Sequence, residues 1–200
     1  MLIDIVILPP KSLRKKIGIK MKKEIGHLSN FFVVDNNKLI PHLSLWHINT
    51  SQKGVNEIAR ELKQIAEGQK PIKIIPLEFK ATEKYTGCLE FPVKINKDLT
   101  TFREKVFQRI YPYKTGTMPQ FGSFLGIKYS KEKLREIKKY GRAIGFHPHF
   151  TMGWFKNEKN IEDIVKKMKG VKFSFTSKEV YICEVNNWWQ VKRIIKKIDF

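Results

Sequence analysis

The sequence has little cysteine and no long apolar run, and both absences narrow the classes of protein it can encode. Its two cysteines, Cys88 and Cys183, stand in separate apolar segments without a second cysteine nearby. This excludes a cysteine-rich zinc site and predicts two buried free thiols, as expected in the reducing cytosol. No window approaches the roughly 18 consecutive apolar residues of a membrane span. We therefore expect a cytoplasmic protein that does not cross a membrane.

Acidic residues are also scarce relative to basic ones. The chain has 39 Lys and Arg against 19 Asp and Glu, which gives a formal net charge of +20 at pH 7. A solvated, lysine-rich surface would account for this charge. Clustered cations also raise the local concentration of phosphates, so the charge equally favours a polyanionic partner such as RNA. It carries no information about the fold.

Common catalytic motifs are absent, but a pair of near-copies is present. The sequence contains no GxGxxG, P-loop, nucleophile elbow or HExxH pattern. Residues 41–45 read Pro-His-Leu-Ser-Leu, and residues 148–152 read Pro-His-Phe-Thr-Met. Each copy is proline, histidine, apolar residue, hydroxyl residue and apolar residue, and one copy lies in each half of the chain. The two copies predict matching strands that bring their histidines and hydroxyl groups to one site.

Hydrophobic periodicity and turn residues predict an α+β chain. The predicted helices are 12–26, 54–66, 99–110, 131–140 and 161–168, the last with Asn160 as its N-cap. The predicted strands are 2–8, 31–34, 39–48, 72–80, 85–93, 146–155, 173–185 and 188–198. We expect two hairpins, one turning at 81–84 and one at 186–187. The stretch 111–126 is rich in proline and glycine and is expected to be a long loop, a kind of segment that often carries function.

The order of these elements repeats. In each half the motif strand is followed by a helix and a predicted hairpin, over about 42–93 and about 149–198. We expect residues 1–200 to form a single domain of two interleaved antiparallel-sheet lobes, related by an approximate twofold. The helices would lie outside, the motif strands side by side at the centre, and the active-site cleft between the lobes.

The motif residues suit acid–base chemistry on a phosphodiester. Strand side chains alternate between faces, so His42 and Ser44 share one face, as do His149 and Thr151. One neutral imidazole can take a proton from water or a ribose hydroxyl, and one protonated imidazole can give a proton to the leaving oxygen. The hydroxyl groups can donate hydrogen bonds to phosphate oxygens as charge builds. This chemistry needs no cofactor or metal.

A single His-x-Ser is a weak signal. His27 also has serine two positions on, but it lacks the preceding proline and lies at a predicted helix end. The repeated proline, apolar partners and element order make the other two copies a strong signal. The alternative for the pair is two buried histidines whose hydrogen bonds are satisfied by the neighbouring hydroxyl groups.

With these residues in view, the chain resembles the 2H phosphoesterase superfamily, whose members carry two H-x-[ST]-apolar motifs in a bilobal, pseudo-symmetric fold. Residues 42–45 and 149–152 match that motif. The resemblance implies metal-independent reactions at 2′,3′-cyclic or 2′-5′ phosphodiester linkages, as in 2′-5′ RNA ligase-like enzymes and cyclic phosphodiesterases. It also implies that the partner is RNA or a nucleotide carrying such a linkage, and we expect a monomer. The ligase-like branch often has a basic residue shortly after the second motif. In this sequence residues 153–155 read Gly-Trp-Phe, so the chain departs from that branch at this point.

Residue roles follow from the same resemblance. It implies His42 as general acid, His149 as general base, and Ser44 and Thr151 as phosphate-binding hydroxyls.

The neighbours of the motifs are assigned by the same alternation of faces. Trp46 shares parity with His42, so it would either stack on a nucleobase or close the edge of the cleft. His147 shares parity with His149 and would flank the site. His47 has the opposite parity and is expected in the core or on the surface.

Two other functions are weighed against the phosphoesterase. A metallohydrolase would use His42, His47, His147 and His149 as ligands, but neither motif strand contains Asp or Glu and the hydroxyl groups would have no role. A non-catalytic RNA-binding protein on the same fold would bind RNA in a salt-sensitive way without needing either motif histidine.

Overall fold

The fold is described from a computed structural model, in which residues 1–82, 87–120, 128–156 and 161–200 are described. The helices are α1 (Lys11–Ile25), α2 (Gln52–Ala66), α3 (Lys97–Ile110), α4 (Lys131–Tyr140) and α5 (Ile161–Met168). The strands are β1 (Leu2–Ile7), β2 (Asn30–Val33), β3 (Leu43–Asn49), β4 (Ile72–Ile74), β5 (Lys80–Ala81), β6 (Cys88–Pro92), β7 (His149–Phe155), β8 (Phe175–Ser177), β9 (Glu179–Val185) and β10 (Val191–Asp199). The α+β class is therefore confirmed.

The two motif strands are neighbours at the centre of the main sheet. In the described part of the chain this sheet has eight strands in the order β10-β9-β1-β3-β7-β6-β5, with β2 added beside β7. All of its pairings are antiparallel. The strands β3 and β7 pair through Leu43 and Phe150, the apolar residue of each motif. The predicted juxtaposition of the motif strands is confirmed.

Helices cover one face of the sheet, and the main hydrophobic core lies between that face and the helices. α2 packs against β10 and α3, and α3 packs against β3. α2 and α3 begin where the sequence supplies caps, since Ser51 accepts from Gly54 N and Asn96 accepts from Leu99 N. At helical spacing, α2 buries the apolar side chains Val55, Ile58, Ala59, Leu62, Ile65 and Ala66. Because the helices cover this face of the sheet, the polar motif residues can lie on the opposite face.

Two of the long predicted strands are wrong, because each is divided between two sheets. The predicted strand 72–80 ends at Ile74, ahead of Pro76, which has no N–H to continue a ladder. Its first part, β4, pairs with β8 in a separate two-stranded sheet, and only β5 pairs with β6 as the predicted hairpin requires. The predicted strand 173–185 is divided between Ser177 and Glu179, so that β8 joins β4 while β9 joins the main sheet.

The remaining local predictions have mixed outcomes. Cys88 and Cys183 are buried free thiols as predicted. The expected loop 111–126 begins with a 3₁₀ turn at Tyr111–Tyr113. Its later part, the turn residues 83–84 and Asn160 lie outside the described residues. The single-domain organisation and the twofold relation of the lobes stay predictions. Among the described residues no helix combines the length and apolarity needed to cross a bilayer.

Candidate active site

A β-bulge follows the hydroxyl residue in each motif strand. Where β3 pairs with β1, Ser44 lies opposite Val6 and Trp46 lies opposite Ile5, so Leu45 is an additional residue. A bulge of this kind reverses the alternation of faces beyond it. Ser44 and His47 are therefore the polar residues of β3 that line the cleft. Trp46 joins the core, and Leu45 belongs to the core and also borders the cleft.

The second motif strand repeats this bulge at the equivalent position. Thr151 lies opposite Glu90 on β6, and Gly153 lies opposite Leu89, so Met152 is the additional residue. Beyond the bulge, Trp154 faces the cleft, as His47 does on β3. The two strands thus match from the motif histidine to the fifth residue after it.

The base-stacking role considered for Trp46 is wrong because of the first bulge. The Trp46 side chain is fully buried and packs against Phe107, with ring centroids 4.6 Å apart. It is not among the residues that line the cleft. His47 takes the place that regular alternation gave to Trp46. It is buried, as one of its two expected locations requires, but it also lines the cleft, which the expectation did not include.

A cleft of about 670 Å³ brings the motif residues of both strands together. Both motif histidines and both hydroxyl residues line it, together with Glu90, Arg142 and His147. The other lining residues are Phe32, Leu45, His47, Lys80, Thr82, Cys88, Pro92, Val93, Ile95, Gly145, Phe146, Pro148, Trp154, Trp188, Trp189 and Gln190. Its size suits a nucleotide-sized ligand.

Each motif histidine is held by a hydrogen bond to the backbone two residues earlier. His42 Nδ1 lies 2.8 Å from the Ile40 carbonyl oxygen, and His149 Nδ1 lies 2.6 Å from the His147 carbonyl oxygen. A carbonyl oxygen only accepts, so Nδ1 carries the proton in both rings. The Nε2 atom of each ring is then left to accept a proton, or to give one when the ring is charged. The alternative of two structural histidines requires a hydroxyl group as the partner of Nδ1. Neither ring has a hydroxyl group there.

The two histidines differ in burial and in their nearest carboxylate. His42 is almost fully buried, and its Nε2 lies 3.9 Å from Asp4 Oδ2. The side chain of His149 is 39% exposed, and its Nε2 lies 3.8 Å from Glu90 Oε2. Burial lowers the pKa of His42, and the nearby Asp4 carboxylate opposes that effect only in part. The site therefore contains two imidazoles with unequal surroundings, as acid–base division of labour requires.

Three residues next to the first motif were missed by sequence reasoning. Asp4 and His47 lie directly opposite each other on β1 and β3, with Asp4 Oδ2 3.0 Å from His47 Nε2. Arg142, in the segment after α4, reaches His47 Nδ1 at 2.7 Å. The only signal in the sequence was one acidic residue inside the otherwise apolar strand β1. Nothing local pointed to Arg142.

His147 lies at the rim of the cleft with an exposed side chain. Its flanking role stays a prediction. For the metallohydrolase alternative, no group of three or more His, Cys, Asp or Glu side chains is arranged to hold a metal ion in the described ranges of the chain.

The buried histidines are expected to make folding stability depend on pH. Burial lowers the pKa of both His42 and His47 below the usual value, near 6.5 in an unfolded chain. Below about pH 6.5 the unfolded chain therefore binds protons that the folded chain does not. The folded state therefore has its full stability above that pH. It loses part of this stability as the pH falls toward the lower pKa values that the two histidines have in the folded state. Urea unfolding at pH 8 and at pH 5.5 should give a lower unfolding free energy at pH 5.5.

His47→Gln should make this pH dependence shallower. The exposed His27 supplies the matched control, and His27→Gln should keep the wild-type dependence. An unchanged slope in the His47 variant would contradict the assignment of this effect to the buried histidines.

Solved structures with the same overall fold include one that is described as a phosphoesterase. TT0787 of Thermus thermophilus aligns with a TM-score of 0.64 and 11% identity, covering 100% of this chain and 97% of that one. A protein described as a phosphoesterase aligns at 0.62 and 12%, covering 100% and 98%. E. coli LigT, in a complex with 3′-AMP, aligns at 0.62 and 12%, covering 99% and 97%.

Sequence comparison alone does not reveal this likeness, since no protein-family model and no curated protein match the chain. The structural likeness covers the whole chain, in which the two motif strands are neighbours in one sheet and contribute residues to one cleft. The resemblance stated from the two H-x-[ST]-apolar motifs is thereby confirmed at the level of the fold: the chain has the fold of the LigT-like 2H phosphoesterases.

Proposed function

We propose that this protein is a phosphodiesterase of the 2H type, acting on 2′,3′-cyclic or 2′-5′ phosphodiester linkages in nucleotides or at RNA ends. The observation that carries the proposal is that the two motif histidines are held in the same way, so that Nε2 is the atom of each ring that can exchange a proton. Each motif histidine uses Nδ1 on a backbone carbonyl, and both rings line one cleft with Ser44 and Thr151. The crystallised complexes of E. coli LigT with 3′-AMP, NADP⁺ and ATP make a nucleotide ligand the natural candidate.

The reaction can be written with named atoms for a 2′,3′-cyclic phosphate. His149 Nε2 accepts a proton from water as the water oxygen bonds to phosphorus. The bond from phosphorus to one ribose oxygen breaks, and protonated His42 Nε2 gives its proton to that oxygen. Ser44 and Thr151 donate hydrogen bonds to the non-bridging oxygens, whose negative charge grows in the transition state. The product is a phosphomonoester, and proton exchange with water restores both histidines.

Turnover of cyclic nucleotides tests this proposal directly. The protein, freed of metal with EDTA, is incubated with 2′,3′-cyclic nucleotides and with RNA ending in a cyclic phosphate. We expect a phosphomonoester product, identified by ³¹P NMR, and a rate that falls at both low and high pH because one histidine must be charged and the other neutral. Absence of any product from both these substrates and 2′-5′-linked dinucleotides would reject the proposal.

The net charge of +20 supports one other candidate, an RNA-binding protein without catalysis. That function predicts RNA binding that weakens steeply with salt. Binding should then survive His42→Ala and His149→Ala unchanged, and no ester bond should be opened. Rates and binding measured on the same RNA therefore separate the two functions.

A further inference from the structure

Asp4 is a fully buried carboxylate with an unusual lack of hydrogen bonds. It lies on the cleft side of β1, between His47 on β3 and Cys183 on β9 in the strand register. His47 Nε2 lies 3.0 Å from its Oδ2 atom, and no other hydrogen-bond donor reaches either oxygen among the residues that the structure describes. A buried charge of this kind is costly unless a cation forms beside it. His42, whose Nε2 is 3.9 Å away, is one of two imidazoles that could supply that cation.

Arg142 decides which of the two imidazoles takes the proton. An arginine guanidinium only donates, so the His47 Nδ1 atom, 2.7 Å from Arg142, must accept. His47 is therefore neutral and carries its proton on Nε2, between Ser44 Oγ at 3.4 Å and Asp4 Oδ2. His47 is the nearer imidazole to Asp4, yet the positive charge of Arg142 beside its Nδ1 atom opposes a second proton. The Asp4 charge is thus reserved for His42.

The Arg142 guanidinium is itself held in place by aromatic rings. It lies 5.2 Å from the ring centroids of both Trp46 and Trp189. The Trp189 ring also covers His47, at 4.7 Å between centroids. The backbone of Trp189 has φ of 59°, a left-handed conformation that is strained for a tryptophan. The fold thus accepts backbone strain at the residue that covers His47 and Arg142.

We propose that Arg142, His47 and Asp4 form a positioning chain beneath the first motif, which keeps Ser44 as a donor toward phosphate and reserves the Asp4 charge for protonated His42. The proposal rests on the proposed function. Because His47 Nε2–H lies within reach of Ser44 Oγ, at 3.4 Å, that oxygen can accept from the ring while its own hydroxyl hydrogen donates to the substrate. Because His47 stays neutral, the carboxylate stabilises the positive charge that His42 carries before it gives up its proton.

The other ionisable groups on this side of the sheet do not compete for that role. Burial raises the pKa of the Cys183 thiol on β9, so it stays neutral. Tyr181 on the same strand is also neutral at physiological pH, since burial raises its pKa to about 12. Arg14 on α1 contributes a positive charge near both of these side chains. Positive charge on His149 would oppose positive charge on His42 and lowers the pKa of His42.

The test follows the histidine protons by NMR in the full-length protein. In wild type at pH 7, the ¹⁵N shifts should show His47 with its proton on Nε2 and His42 with its proton on Nδ1. Asp4→Asn should lower the pKa of His42, whereas the matched control Glu90→Gln, which removes the carboxylate beside His149, should not. Arg142→Met should allow His47 to take a second proton, and should lower the pKa of His42 because two cations then share one carboxylate.

Kinetics supply the second measurement. Above its pKa, the protonated fraction of His42 falls about tenfold for each unit by which its pKa is lowered. The kcat of Asp4→Asn on a 2′,3′-cyclic nucleotide should therefore fall by about tenfold per unit seen by NMR, with KM nearly unchanged. If Asp4 had only a structural role, the fall in kcat would not follow the shift in the pKa of His42.

Three results would overturn the positioning chain. They are a proton on His47 Nδ1 in wild type, an unchanged His42 titration in a folded Asp4→Asn variant, or a lowered titration without loss of kcat. If Asp4→Asn does not fold, the wild-type ¹⁵N spectrum and Arg142→Met decide the question. Failure of the proposed function would appear separately, as a wild-type protein that turns over no cyclic phosphate.

Discussion

His42→Ala and His149→Ala are each expected to lower kcat on a 2′,3′-cyclic nucleotide by about 10² to 10⁴, the usual contribution of one general acid or base. The double variant should lose little more than the worse single variant. The reason is that the acid and the base act on the same bond exchange, so that removing one leaves the other with no proton transfer to complete. Steady-state rates at a fixed pH, with the exposed histidine His27 replaced by alanine as a control, measure the effect.

Folding must be checked alongside these rates. His42 is buried beside Asp4, so its replacement could weaken the fold, whereas His149 is partly exposed. Circular dichroism and urea unfolding of each variant separate lost chemistry from lost structure. Wild-type turnover in a folded His149→Ala protein would rule out His149 as the general base. Multiplying losses in the double variant would instead indicate that the two histidines act in separate steps.

Trp46→Ala is expected to reduce the unfolding free energy by about 3 to 5 kcal/mol, the range for removing a large buried aromatic side chain. Trp46 is fully buried, its ring packs on Phe107, and the guanidinium of Arg103 lies 5.3 Å from its centroid. The variant loses the packing of all these contacts and leaves a cavity. Urea unfolding measures the loss as a lower midpoint with a similar slope.

Two controls separate this effect from a role in ligand binding. Trp46→Phe should cost much less, because an aromatic ring still fills most of the space. Trp188→Ala removes a partly exposed tryptophan that lines the cleft and should leave the midpoint much closer to that of wild type. If Trp46→Ala kept its stability but bound nucleotides weakly, the stacking role would be restored and the core assignment would be wrong.

The helices and the central pair of strands could be predicted because their signals are local or repeated. Apolar residues at helical spacing and a capping serine define α2, and the second copy of the motif turns a weak pattern into a strong one. The predictions of the two long strands failed at Pro76 and Ser177. The alternation of apolar and polar residues does not show where a strand changes its pairing partner. Both segments keep a strand-like pattern while they pass from one sheet to the other.

The site was predicted as far as the fourth residue of each motif and no further. His42, Ser44, His149 and Thr151 were placed on one cleft by simple alternation. Alternation then misassigned Trp46 and His47, since a bulge depends on how two strands pair and not on the strand's own residues. Asp4 and Arg142 reach His47 from distant parts of the chain, which no local pattern reveals.

The paired bulges also separate the positions that can vary from those that cannot. On each motif strand the fourth residue after the histidine, Trp46 or Gly153, is tied to the interior. A Cβ on Gly153 would come within 3.2 Å of the Phe32 carbonyl oxygen. The fifth residue, His47 or Trp154, meets the ligand space instead. Substrate range can therefore diversify at Trp154, whereas His47, held by Arg142 and Asp4, stays constant with the scaffold and the proton-transfer pair.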